Sequence, residues 1–422
     1  MKKLKIFFLF FTLLSATEEL TIKLDTKKSC MPIAVELKIA PQVSFKENYV
    51  KKLYDLFLFD LNFSEKFSIQ SPQYVAAQLR LILEKSHCHL IVEDLKKNQK
   101  KEIKNIPLTG EISVDRGRVH QLADSVIQTL FNDSSIFTKR ILFATKFPNP
   151  GKKGDFLSEI WSCDYDGENL KQLTNENAYS ITPLFFPDRN AAHHFFYVCY
   201  KKGVPKIYLS RFMRSQGAPI IPLRGNQLLP AISSDGTKVA FISDASGRAD
   251  LFLQAFDINE GPIDKPRQLY SLPGSVQASP SFSPDGNQLV FVSDRDGTPR
   301  LYLIDLKNLS TRKRPEIRCL TLKNRENTGP SWAPDGKKIA YSSKTDGVRQ
   351  IWILDLENGE EIQLTKDNHH KENPCFASNS LHIVYNTTDR NESELYLVSL
   401  NNPHPLKITG GAGKKHYPSW EP

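Results

Sequence analysis

A short word repeated six times constrains this 422-residue chain more than any other feature. Its sharpest copies are Ala278 to Tyr302, ASPSFSPDGNQLVFVSDRDGTPRLY, and Pro330 to Trp352, PSWAPDGKKIAYSSKTDGVRQIW, with a looser copy from Pro230 to Phe252. Each reads as a strand, a tight turn, an apolar strand, a polar loop and the start of a third strand. The turns carry Asp235-Gly236, Asp285-Gly286 and Asp335-Gly336, the residue pair that tight hairpin turns favour. One proline marks each copy: Pro183, Pro230, Pro280, Pro330, Pro374 and Pro418, at spacings of 47, 50, 50, 44 and 44 residues. A unit of that length holds four strands, and four-stranded units repeated about an axis predict a β-propeller. The last copy, Tyr417 to Trp420, supplies one strand only. Its missing strands lie at Ile141 to Ala144, Ile160-Trp161 and Lys171 to Thr174. Joining the two ends gives six blades, closed by the C-terminal strand with no open sheet edge.

Ahead of the repeats the periodicity differs. Leu20 to Leu24 and Pro32 to Val35 read as strands, and so does His89 to Glu93. Asn48 to Asp60 places Tyr49, Val50, Leu53, Leu56 and Phe57 at helical spacing. Val75, Leu79 and Leu83 after Ser71-Pro72 predict a second helix, and Arg118 to Phe131 a third. The expected class is therefore a two-domain α+β protein: a small N-terminal α/β domain over residues 17–135 and a six-bladed propeller over 136–422. Residues 1–16, MKKLKIFFLFFTLLSA, form a basic then apolar leader too short to span a bilayer, as expected of a signal peptide. Thr17 follows it, so the lipidated-cysteine route is closed and the mature chain is expected to be exported and soluble.

Charged residues make up 24% and hydrophobic ones 40%, an ordinary globular balance. Losing Lys2, Lys3 and Lys5 with the leader takes the net charge from +9 to +6, a mild basic bias. Lys96, Lys97, Lys100, Lys101 and Lys104 sit between two apolar runs and read as a solvated hairpin tip rather than a nucleic-acid patch. Six cysteines (Cys30, Cys88, Cys163, Cys199, Cys319, Cys375) show no CxxC spacing. His87, Cys88 and His89 are adjacent, so a strand turns them to opposite faces and away from a shared metal. Neither a metal site nor a cofactor is expected.

A serine hydrolase built on a propeller needs a GxSxG nucleophile elbow, which this sequence lacks. The alternative enzyme reading is a calcium-dependent propeller hydrolase, with Asp244, Asp294, Asp296, Asp346 and Asp389 gathered at one rim; the plainer reading is solvated turns. His193 and His194 fall in an irregular stretch, FFPDRNAAHHFFYVCY, and read as loop or core residues.

The repeats, the small domain before them and the leader together resemble the TolB family. Arg118-Val119-His120, Leu122-Ala123-Asp124 and Ile136 to Ile141 are similar to that family's final helix and its entry to the first blade, and Pro32 to Val35 to its early strand. The resemblance implies a non-catalytic periplasmic protein of the Tol-Pal system that supports envelope integrity and cell division. Its implied partners are a peptidoglycan-associated lipoprotein (Pal) at one propeller mouth and TolA at the N-terminal region, the outer membrane being reached through partners and the chain acting as a monomer. The family's docking positions correspond to Gln277, Ala278 and Ser279 before Pro280, and to Asn327, Thr328 and Gly329 before Pro330. Equivalence of the entry loops adds His370, Glu372 and His416. Thr17 to Asp25 is expected to pair with its own sheet or with a partner's edge.

Overall fold

The computed structural model describes residues 30–149, 151, 154–187, 194–307, 309, 315–389 and 392–422. The leader, the segment 17–25 and His193 lie outside these residues.

The N-terminal domain is a five-stranded sheet with two helices on one face. Its elements are β1 (Met31–Ile39), α1 (Glu47–Phe63), β2 (Phe67–Ile69), β3 (Ala77–Glu84), β4 (His87–Asp94), β5 (Gln99–Pro107) and α2 (Ile112–Phe131), in sheet order β2-β1-β3-β4-β5. β1 runs parallel to β2 and β3, and the remaining pairs are antiparallel. The helix expected from Val75, Leu79 and Leu83 is instead β3, preceded by a single 3-10 turn at Pro72–Tyr74. A spacing of four residues fits both a helical and a two-residue period. Leu79, Leu81 and Leu83 are fully buried while Gln78, Arg80 and Ile82 are half-buried, which is strand alternation. Ser71 offers no side-chain cap, and two helices rather than three complete the domain. Lys96 and Lys97 occupy the β4–β5 turn, and Lys100, Lys101 and Lys104 lie on β5.

Six four-stranded sheets follow. Blade 1 uses Ser180–Phe185 as its inner strand, blade 2 Gln227–Ile232, blade 3 Gln277–Phe282, blade 4 Thr328–Trp332 and blade 5 Lys371–Phe376. Blade 6 takes its inner strand, Lys414–Trp420, from the C-terminus and its outer three from Arg140–Pro148, Phe156–Asp164 and Lys171–Gln172. The ring is thus closed as the repeat count implies.

The blades share a core device. In each, a fully buried aromatic on the second strand faces an aromatic on the third: Phe143 and Trp161, Tyr197 and Tyr208, Phe241 and Phe252, Phe291 and Tyr302, Tyr341 and Trp352, Tyr385 and Tyr396. Such cross-strand pairs add to sheet stability beyond the area they bury. The serine of the Pro-Ser word ties neighbours together. Ser281 Oγ accepts from the Trp332 N–H of blade 4, and Ser331 Oγ from the Phe376 N–H of blade 5, at 3.2 and 3.0 Å. In blade 5, Cys375 replaces it and accepts from the Trp420 N–H at 3.4 Å.

The N-terminal domain packs against blades 5 and 6 at the end carrying their first-to-second and third-to-fourth strand turns. Its core continues without a break into Ile141, Phe143, Tyr165, Leu397 and Trp420. His382 of blade 5 stacks on Phe63 at 4.6 Å, and its Nε2–H donates to the Phe63 carbonyl at 3.0 Å. Burial pushes this imidazole down to about 4, so it is neutral. The opposite end of the channel remains open.

Candidate functional site at the channel mouth

One residue before each blade proline, the backbone turns left-handed. Thr182, Leu229, Ser279, Gly329, Asn373 and Tyr417 have φ of 49, 50, 43, 56, 53 and 55°, a conformation costly for side chains other than glycine or asparagine. The ladder slips at the same place in every inner strand, forming a bulge. These residues and the prolines line a central cavity of about 250 Å³ contributed by all six blades.

Two residues ahead of the bulge stands a buried polar side chain in each blade: Ser180, Gln227, Gln277, Asn327, Lys371 and Lys415, none more than 2% exposed. In five blades it reaches back and pins the loop that enters the blade. Gln227 Nε2 donates to the Ile221 and Leu223 carbonyls at 2.9 and 3.0 Å, and Gln277 Nε2 to Ser275 Oγ at 3.1 Å. Asn327 Nδ2 donates to Thr321 Oγ1 and the Asn324 carbonyl at 2.8 and 3.2 Å. Lys371 pairs with Asp367 and donates to the His369 carbonyl at 3.0 Å. Lys415 pairs with buried Glu394 at 3.0 Å and donates to the carbonyls of Gly410, Gly411 and Gly413.

The residues of the expected docking set differ in what they expose. Gln277 and Asn327 cannot offer side chains to a partner, because both are buried loop staples. The position between staple and bulge is half-buried at the mouth. It is occupied by Ala278, Thr328, Glu372 and His416 in blades 3 to 6, facing Val292, Ser342, Asn386 and Ala144 across the ladder. The structure therefore puts Ala278, Thr328, Glu372 and His416 on one ring, with Ser279 and Gly329 one step inside it. His370 lies outside the ring, its Nδ1 accepting from the Arg349 N–H at 3.2 Å, while Arg349 Nε is 3.4 Å from Glu372. Burial, then the cations Lys146 and Lys414, push His416 down to about 4. The staples could have been found in the sequence as a polar residue three positions before each proline, but their identities vary too much to signal on their own.

Three of the five rim carboxylates are engaged in loop contacts. Asp244 accepts from the Asn226 N–H and side-chain amide at 2.7 and 2.6 Å, Asp294 from the Val276 N–H at 2.7 Å, and Asp389 lies 3.0 Å from His369. Each thus ties an entry loop to a neighbouring loop. Among the described residues only His120, Asp164 and Asp166 converge at metal-ligand distances, and they lie at the opposite, domain-packed end. Arg116 is 2.6 Å from Asp166 there, a fixed cation that disfavours a second one.

Six blades locked by the C-terminal strand, with an α/β domain at one end and an open polar mouth at the other, define a closed-propeller protein carrying an N-terminal domain. The family model described as TolB beta propeller domain matches residues 127–422, and the chain belongs to that family. It is 36% identical over 291 residues to the protein TolB homolog of Protochlamydia amoebophila, covering 62% of this chain and 61% of that one. It is 39% identical over 271 residues to the protein TolB homolog of Chlamydia felis, covering 62% of each. The matched region thus spans about three fifths of those relatives. The crystal structure of TolB from Acinetobacter baumannii superposes with a TM-score of 0.72 at 21% identity, over 94% of this chain and 97% of that one, a likeness of fold.

Proposed function

We propose that this protein is a non-catalytic, periplasmic component of a Tol-Pal system that docks a Pal-like lipoprotein at its open channel mouth. On this reading residues 1–16 direct export, the region 17–135 serves a TolA-like inner-membrane partner, and the propeller connects to the outer membrane through the lipoprotein, supporting envelope integrity and division. No helix of the described residues is long and apolar enough to cross a membrane. The observation that carries the reading is the ring of Ala278, Thr328, Glu372 and His416: equivalent positions in four successive blades, at the end of the channel that the N-terminal domain leaves open. Small and hydrogen-bonding side chains over a bulged backbone suit a protein loop, with affinity concentrated in a few residues. A pull-down of a Pal-like domain with the wild-type chain and with Thr328→Arg and Ala278→Arg tests it. Loss of capture in both variants is expected, and undiminished capture would remove this face as the docking site.

A further inference from the structure

We propose that the seam between blades 6 and 1, at the edge of the same mouth, is a pocket for a single carboxylate carried by the docked protein. The proposal rests on the mouth being the docking face and adds the chemistry at one point of it.

The seam holds a cavity of about 490 Å³ whose walls include Lys146, Phe156, Tyr179, Tyr200 and Lys201. Lys146 is the central feature. Its ammonium lies 3.9 Å from the Phe156 ring centre and 5.8 Å from that of Tyr179, and no carboxylate of the described residues pairs with it. Lys201 differs, being held by the buried Glu176 at 2.9 Å. Phe156 is 47% exposed, an aromatic left in water beside a cation. The Tyr179 and Tyr200 rings meet edge to face at 5.6 Å, and the Tyr200 N–H donates to the Tyr179 carbonyl at 3.0 Å, so these walls are fixed. The pocket adjoins the channel. Lys146 pairs across the ladder with Lys414 at the start of the blade 6 inner strand, and Tyr417 of that same strand lines the central cavity.

An ammonium resting on ring faces is shielded from water on one side and keeps its remaining N–H donors for the open side. A carboxylate arriving there gains a charge-assisted hydrogen bond, and the aromatic walls take up the methylenes that carry it. Lys201 is already taken by Glu176, so the one remaining ammonium, Lys146, calls for one carboxylate rather than an acidic run.

Calorimetric titration of a Pal-like domain into the intact chain tests this, using wild type, Lys146→Arg, Lys146→Ala, Lys146→Glu and the mouth variant Thr328→Arg. Lys146→Ala is expected to weaken binding about threefold to tenfold and Lys146→Glu more than tenfold. Lys146→Arg should stay near wild type, and the differences should shrink in high salt. If Thr328→Arg abolishes binding while Lys146→Glu stays within about twofold of wild type, the pocket is overturned and the docking reading stands. If Thr328→Arg and Ala278→Arg both leave binding unchanged, the docking reading falls and a fluorescein-labelled Gly-Ser-Glu-Ser-Gly peptide, amidated at its C-terminus so that it carries one carboxylate, decides the pocket. Saturable, salt-sensitive anisotropy that Lys146→Glu removes supports it, and no difference between wild type and Lys146→Glu overturns it.

Discussion

The His120 imidazole lies 2.8 Å from the Asp60 carboxylate, both side chains buried, and on its other side 3.3 Å from Asp166 of blade 6. One ring thereby joins the two helices of the N-terminal domain to the propeller. Asp60 also accepts from the Tyr165 hydroxyl, and Arg116 neutralises Asp166. Burial alone would push the imidazole down, but the two carboxylates outweigh it and hold it at about 9. Burial likewise pushes Asp60 up, against the pull of His120. The domain junction is therefore an ion-pair network in a dry setting, where removing one member leaves the others uncompensated.

Stability should accordingly depend on pH on the alkaline side. Because the folded imidazole titrates above its ordinary range, its contribution is complete below pH about 6.5 and is lost as pH rises through about 9. The thermal midpoint should fall by roughly 2–4 °C between neutral pH and pH about 9.5, and His120→Gln should flatten that slope. His120→Leu, which strands Asp60, should cost about 3–5 kcal/mol in urea unfolding. Equal alkaline slopes in wild type and His120→Gln would show that His120 is not the group responsible.

The loop staples should rank by charge. Lys415→Met removes the cation that balances the buried Glu394 carboxylate, which keeps the Thr409 hydroxyl as donor, and unpairs three glycine carbonyls, so a loss of about 3–5 kcal/mol is expected. Gln277→Leu removes one neutral donor and buries an aliphatic group in its place. It also deletes Gln277 Oε1, a buried acceptor with no partner, so the cost should stay near 1 kcal/mol. Urea titrations of both variants check this, and a Gln277→Leu loss equal to that of Lys415→Met would refute the ranking.

These staples mark the limit of what the sequence made legible. Blade number and closure followed from the proline spacing and from the stranded Tyr417 to Trp420, because a repeat constrains topology directly. The N-terminal domain was legible in outline only. Leu79 and Leu83 satisfy two periods at once, and only the alternation through Leu81 and Ile82 chooses between them. At the mouth, position relative to the proline was readable but direction was not. Gln277 stands three residues before its proline and Thr328 two before its own, and the alternation of successive strand residues turns one inward and leaves the other at the rim.

Closure makes a separate demand. The strand Lys414–Trp420 is the inner strand of blade 6, and Arg140 binds Glu421 through its backbone N–H at 3.0 Å and its guanidinium at 3.2 Å. Deleting residues 414–422 would expose the Arg140–Pro148 edge and empty the Trp420 site in the shared core. The truncated chain should aggregate or associate through that edge in size-exclusion chromatography, and a synthetic peptide of residues 414–422 should return part of it to the elution volume of the full chain. A truncation that elutes with the full chain and keeps its melting point would mean that the strand does not lock the ring.

Two glycines with positive φ separate a conformational role from a steric one. At Gly329, φ is +56°, and an added Cβ would meet Asn373 at 3.5 Å, an ordinary contact. Ser279 and Asn373 hold the same conformation with side chains in place. Gly329→Ala should therefore cost only the left-handed penalty, about 1–2 kcal/mol, and leave the channel mouth intact. At Gly167, in the turn of blade 6 that packs on blade 5, φ is +88° and the same Cβ would fall 1.7 Å from the Ile408 carbonyl oxygen. That obstacle is backbone and cannot rotate away, so Gly167→Ala must move one blade against the other and should cost more than about 3 kcal/mol. Thermal denaturation of the two variants side by side decides the point. A Gly167→Ala protein as stable as Gly329→Ala would mean that the seam between blades 5 and 6 yields more readily than its packing implies.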